Sequence, residues 1–428
     1  MFPFLLVGMT AMQVLWLVAI WLTGAAPHWQ KLPPLLMYSL ACAVVITCLP
    51  ENLVTRIRQS LERLTQQERR LTLVLTATVA SVGGVYAYLQ HGWPDEQSVF
   101  AAAQIVAEQG VAPFFAHYAQ IPWLGSQHPP LVLLVYGAAL SVFGVHLFVI
   151  RLVSLGLSLA TLLLTYRVGS SLYDRRTGLL AAGCLLATPF FFRIGATALV
   201  DMPVTFCFIV AVYLLLSLLK TPSYRLAVAL GLCLGIGLLC RYTMVFFYLF
   251  LGSSSLIGYA FRRLLPQLTL ATLISGSILA LWLLYAAHLG VLAEQRKQIT
   301  EYAQFLILAT SAKEWLLGSL LFRVPSGLGP YNLPLLFLGA WHMMWRWERA
   351  DLYILLWIAA VFLPLMLTLP GPRYFLPAFP ALAIAMTRGL ENPGGKAERL
   401  VMLTLLYGGG ALYLFIDWER AAGDLFVH

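Results

Sequence analysis

Six polar side chains stand beside long apolar runs in this chain, and their types suit transfer of a group carried on a phosphate. Asp95 and Glu96 are neighbours in "HGWPDEQSVF", and His128 lies in "SQHPPL". Asp201 lies in "ATALVDMPVTF", Arg241 in "LLCRYTMVF" and Arg373 in "LPGPRYFLPAFPAL". A carboxylate can take the proton of a hydroxyl nucleophile, and arginine or histidine can hold a phosphate. A lipid with a phosphate head would lay its tail between helices and present its head at the bilayer edge. If that phosphate carries a sugar, it is the leaving group. Positive charge beside it then matters more than a protonating acid. Ionisable groups near hydrocarbon are costly and tend to face cavities or one another.

The elements that must position them are membrane helices. Hydrophobic residues make up 60% of the 428 and charged residues 11%, against about 25% charged in soluble domains. Apolar runs near the roughly 20 residues that cross a bilayer recur from end to end. An all-α polytopic membrane protein is expected. The net charge of +9 sits in short loops between spans, which orients a membrane protein; no nucleic-acid partner is expected. The six cysteines show no CxxC spacing and read as small packed thiols rather than a zinc site or disulfide framework.

Spans are expected near 3–23, 34–49, 71–89, 148–167, 178–192, 203–219 and 225–240. More follow near 243–260, 265–288, 334–344, 352–370, 374–388 and 400–416. That makes about thirteen transmembrane helices, eleven at the lower bound, with outer-face juxtamembrane helices beside them. Residues 1–70 hold two additional amino-terminal spans and a cytoplasmic amphipathic helix, "ENLVTRIRQSLERLTQQERR". Residues 71–428 form the main module, with outer loops 90–147 and 289–333. "HPPLVLLVYGAALSVFG" is expected to dip into the outer leaflet without crossing. A crossing there would put Arg167, Arg175 and Arg176 outside, against the positive-inside bias. Parity then places all six chemical residues, with Arg151, Arg193 and Tyr374, at the outer face.

Each residue also has a plainer reading. Asp95 and Glu96 suit a polar helix end, and Asp201 suits a helix N-cap ahead of Pro203. Arg241 and Arg373 could snorkel to lipid head groups, and Arg151 and Arg193 could pair with acids or lipid phosphates.

The order of the motifs resembles the GT-C superfamily of membrane glycosyltransferases. "DE" follows the first outward helix, "HPPL" lies in the same loop, "LVDMP" comes two spans later, then "RYT" and a late "RYFLPAFPAL". Protein O-mannosyltransferases and the aminoarabinose–lipid A transferase family are the groups it resembles most, over about residues 71–390. The resemblance implies a GT-C-like bundle and a polyprenyl-phosphate-linked sugar donor. The acceptor would be a hydroxyl of a lipid, glycan or protein, attacked with inversion at the outer face of a prokaryotic plasma membrane. It implies Asp95 as catalytic base, Glu96 positioning substrate, and Asp201 organising the acceptor or the site. His128 would contact the donor phosphate or nearby polar groups, and Arg241 and Arg373 would contact the donor phosphate. A divalent metal stays open, with Asp95, Glu96, Asp201 and His128 as candidate ligands. The sequence departs from the pattern at Phe100, where tyrosine is common, and at Arg241, where many relatives have lysine. Two rivals remain: a transporter or flippase of lipid-linked sugars, and a non-catalytic polyprenyl-phosphate-binding protein.

Overall fold

The structure is a computed structural model that describes residue 73 and residues 76–89, 94–121, 128–257, 261–293, 327–328, 332–366 and 372–389. The expected spans at 3–23, 34–49 and 400–416, the surface helix at 51–70 and most of the outer loop 289–333 lie outside those residues. The described residues are helical and contain no strand.

A π-helical turn, Val79–Gly83, runs into α1 (Gly84–Leu89). α2 (Pro94–Gln109) then opens on Pro94 and carries Asp95 and Glu96 in its first turn, where a missing N–H is harmless and the helix dipole favours acids. After α3 (Val111–Ala116) and a 3-10 turn at Tyr118–Gln120 comes α4 (Leu131–Phe143). Its 13 residues extend about 20 Å, short of a hydrocarbon core of about 30 Å. Gly144, at φ 97°, turns the chain through a conformation that glycine adopts without strain. α5 (Leu147–Leu172) follows for 26 residues. α4 thus has the length of a helix that enters one leaflet and turns back.

α6 (Arg175–Leu186) starts on the Asp174 side chain, which accepts the Thr177 N–H at 2.7 Å and so satisfies one orphan donor. α7 (Pro189–Gly195) departs from it at 73°. The single span expected at 178–192 is therefore a bent pair. Thr188 leaves the helical conformation because a proline follows it, and Pro189 has no N–H to continue the ladder. α8 (Asp201–Lys220), α9 (Tyr224–Cys240), a 3-10 segment at Tyr242–Phe246, α10 (Phe247–Ile257) and α11 (Phe261–His288) follow in order. α12 (Leu333–Trp345) and α13 (Arg349–Met366) precede a second 3-10 segment, Pro372–Ala378, and α14 (Phe379–Arg388). The segment expected as a span at 374–388 begins as 3-10 helix around Pro377 and continues as α14, all ten residues of which are buried among the neighbouring helices.

α8 sits at the centre, with 67% of its apolar window buried, while α11 has 22% and presents Leu273, Leu281 and Leu284 outward. α5 and α9 pack against α8, and α6 and α12 pack against α14. Lipid tails are as apolar as leucine, so helices in a bilayer associate through close packing rather than through water exclusion. α9 shows this through Gly231 and Gly235, a G-x-x-x-G pair. A Cβ at Gly231 would meet the Ala271 carbonyl at 2.7 Å, and one at Gly235 would meet Ile278 at 2.5 Å.

Three described helices are long and apolar enough to cross a membrane: α5, α8 and α11 from Arg263; the bent α6–α7 pair makes up to four. Shorter apolar helices accompany them, and the protein is a multi-pass membrane protein. α8, at 20 residues, is about 30 Å long and separates two charged levels. Asp201 opens one end. At the other, Lys220 donates to the Ser171 carbonyl at 2.9 Å. Near there Arg388 meets Asp351 at 3.0 Å and Glu348 at 2.7 Å, and the Tyr173 hydroxyl donates to Asp351 at 2.6 Å.

Candidate active site

Four charges of alternating sign join at the Asp201 end. Arg373 donates to Asp95, its Nε lies 4.0 Å from Asp201 Oδ2, and Arg241 donates to Asp201 Oδ1. Each comes from a different element end. Asp95 is in the first turn of α2 and Asp201 is the first residue of α8. Arg241 is the extended residue that closes α9, at φ −164° and ψ 140°, and Arg373 lies in the 3-10 segment before α14. The Arg241 guanidinium also stacks over the Tyr374 ring at 4.1 Å, and that of Arg373 lies 5.7 Å from the same ring. Ring stacking suits the flat guanidinium and holds it in plane. Exposure is graded along the chain of charges: Asp201 is 2% exposed and Arg241 4%, Arg373 18% and Asp95 34%.

Glu96 faces elsewhere. Both of its oxygens accept from Arg151, at 2.9 and 2.7 Å, and Oε1 also accepts the Ala198 N–H at 2.8 Å. Arg151 spends its remaining nitrogen on the Ala87 carbonyl at 2.8 Å. The Tyr136 hydroxyl donates to the Leu199 carbonyl at 3.0 Å. α1, α2, α4 and α5 thereby converge on the 196–200 loop, and that loop delivers Asp201. Asp201 makes no side-chain cap; the residue ahead of the helix is Val200. This carboxylate is turned to the arginines instead of its own helix end.

His128 is buried, and its carbonyl accepts from the Tyr118 hydroxyl at 2.5 Å. Burial pushes its pKa well below the usual histidine value, and the positive charges of Arg241 and Arg373 push it the same way. At neutral pH the imidazole is uncharged. It can offer one hydrogen bond to a phosphate but no positive charge.

Comparison with known proteins agrees with this architecture. The dolichyl-phosphate-mannose-protein mannosyltransferase family model matches residues 127–287, which hold His128, Asp201 and Arg241. A crystal structure of ArnT from Cupriavidus metallidurans bound to undecaprenyl phosphate superposes with TM-score 0.58 and 18% identity, over 82% of this chain and 66% of that one. The chain has the GT-C fold. The apo form of the same ArnT gives TM-score 0.59 and 18% identity, over 81% of this chain and 65% of that one. The oligosaccharyltransferase of Archaeoglobus fulgidus, tethered to an acceptor peptide, gives 0.51 and 12%, over 81% and 55%. The chain thus spans about two thirds of the ArnT structures and just over half of the archaeal one. No curated protein matches at the level of sequence.

On this GT-C scaffold the structure gathers Asp95, Asp201, Arg241, Arg373 and Tyr374, and it places His128 within reach of the arginines' field. Glu96 and Arg151 are brought to each other and not to that row of charges. Arg193 is half-buried in the last turn of α7. The four candidate metal ligands are not gathered as a ligand set. Glu96 is taken by Arg151 and both aspartates by arginines. Among the described residues no group of three or more His, Cys, Asp or Glu is placed to hold a metal. Sequence reasoning missed Tyr136 and Tyr118. A tyrosine inside an otherwise apolar helix was the available signal for Tyr136, since a buried hydroxyl must find a partner.

Proposed function

We propose that the protein is a glycosyltransferase that moves a sugar from a polyprenyl-phosphate donor to a hydroxyl of a lipid, glycan or protein acceptor. The reaction takes place at the outer face of a prokaryotic plasma membrane. One observation carries the reading: two arginines and two aspartates, from four separate element ends, meet at one end of the bundle. The family description names a dolichyl-phosphate sugar, and one structural neighbour binds undecaprenyl phosphate; both support a lipid phosphate as the carrier.

In this reading the acceptor hydroxyl attacks the anomeric carbon while Asp95 takes its proton. The bond between that carbon and the phosphate oxygen breaks, and polyprenyl phosphate leaves with the electron pair. A single displacement inverts the anomeric centre. Arg373 faces the leaving oxygens, Arg241 holds Asp201, and Asp201 holds Arg373. Preorganised donors aimed at developing charge are the largest contribution an active site of this kind makes. His128 adds a neutral hydrogen bond.

The test uses the protein in lipid nanodiscs with a panel of radiolabelled polyprenyl-phosphate sugars and a membrane extract as acceptor. Wild type should transfer one of them, and Asp95→Asn should lose transfer by about 100-fold or more, the usual worth of a general base. Transfer undiminished in Asp95→Asn would remove the base. Retained donor binding with no transfer by wild type would favour a carrier or binding protein.

A further inference from the structure

We infer that the donor phosphate is admitted by exchange: it displaces Asp95 from Arg373, so that arrival of the leaving group is what frees the base. The inference rests on the transferase reading above. Asp95 and Arg373 hold each other in this structure, and among the described residues Arg373 is the side-chain partner of Asp95. A carboxylate whose oxygen is engaged by a guanidinium is not available to a hydroxyl proton, and a guanidinium so engaged is not available to a phosphate. One contact must open before either residue does its work.

The geometry decides which one. Asp201 and Arg241 are buried and bonded together, and separating a buried ion pair strands a charge away from water. Asp95 is 34% exposed, so water can take over part of its solvation when it leaves, and a partly exposed pair costs less to separate than a buried one. Arg373 stays in place after the exchange, because Asp201 Oδ2 lies 4.0 Å from its Nε and the Tyr374 ring lies 5.7 Å from its guanidinium. The phosphate oxygens meet the same planar fork that the carboxylate vacates. The two aspartates and two arginines balance in charge, so the site without donor does not present an open cation to other anions. Donor binds before acceptor in this scheme, and the base is uncovered only when a leaving group is in position.

The two ligands of Arg373 compete, so removing one must strengthen the other. The experiment measures binding of undecaprenyl phosphate to the full chain in phosphatidylcholine nanodiscs, for wild type, Asp95→Asn, Arg373→Gln and the double variant. Asp95→Asn should bind about two- to fivefold tighter, the equivalent of one partly exposed ion pair. Arg373→Gln should bind more weakly, and adding Asp95→Asn to it should change nothing further. Asp95→Ala replaces Asp95→Asn if thermal unfolding shows the latter misfolded. Unchanged or weaker binding in Asp95→Asn would overturn the exchange. So would an equal gain in both backgrounds, which is plain repulsion between Asp95 and the phosphate. Absence of binding by wild type is a different failure, and it overturns the transferase reading itself.

Discussion

Burial holds the His128 imidazole neutral, and the nearby charges of Arg241 and Arg373 reinforce it. The unfolded chain, with its histidine titrating near 6.5, takes up a proton below that pH while the folded chain does not. Stability from this residue is thus present above about pH 6.5 and is lost as pH falls towards the lower folded value. Thermal unfolding in nanodiscs should show a lower transition at pH 5 than at pH 7, and His128→Asn should flatten that difference. The uncharged ring can still donate to an anionic phosphate, so His128→Ala should weaken undecaprenyl phosphate binding by about tenfold, the scale of one hydrogen bond to a charged group. Unchanged affinity would show that the imidazole does not touch the phosphate. The residues that meet in the candidate site were readable at this scale. Asp95, Asp201, Arg241 and Arg373 all sit at ends of apolar runs, and counting spans put them at one depth. The job of Glu96 was not readable, because Asp95 and Glu96 are adjacent and differ only in which side of α2 they leave.

That difference belongs to the elements. Consecutive helix residues do not share a face, so α2 sends Asp95 to the arginine of the 3-10 segment and Glu96 to Arg151 on α5. Glu96 is 0% exposed and Arg151 5%, and removing one partner of such a pair costs about 3–5 kcal/mol. Glu96→Gln should lower the unfolding transition markedly, and the double variant Glu96→Gln/Arg151→Met should recover part of the loss. An unchanged transition in Glu96→Gln would show that the pair does not brace the loop before Asp201. A second element contact positions the same helix. A Cβ at Gly137 of α4 would meet Val106 Cβ of α2 at 2.4 Å and the Ala103 carbonyl at 2.9 Å. Gly137→Ala must part the two helices, at about 1–3 kcal/mol for overpacking. Transfer should fall with it, because Asp95 rides on α2. The bend between α6 and α7 was hidden from the sequence by the apolar character of its flanks. Composition there reads as one span, and Pro189 is the local reason it is two pieces.

At the scale of the whole molecule, α8 separates a level holding Asp201 from one holding Lys220, with Asp351 and Arg388 at the latter. We propose the orientation that puts arginine-rich loops inside, in which the Asp201 level is the outer one. Single cysteines placed at exposed Ser98 and Lys220, in a background without native cysteines, should separate the two faces. A membrane-impermeant maleimide on intact cells should label the Ser98→Cys protein, and label Lys220→Cys only after permeabilisation. The reverse pattern would move the site to the cytoplasm and exclude acceptors outside the cell.

The sequence by itself determined the solvent, the element type and the depth of the chemical groups. All three follow from local properties: hydrocarbon excludes unpaired backbone, so apolar run length reads as helix, and charge marks the ends of each run. Only the tertiary structure decided which acid meets which arginine. Asp95 and Arg373 are 278 positions apart and Glu96 and Arg151 are 55 apart. Their pairing depends on how each helix is rotated about its axis against its neighbours. Close contacts such as Gly137 against α2, and Gly231 and Gly235 against α11, set that rotation, and no single run of residues encodes it.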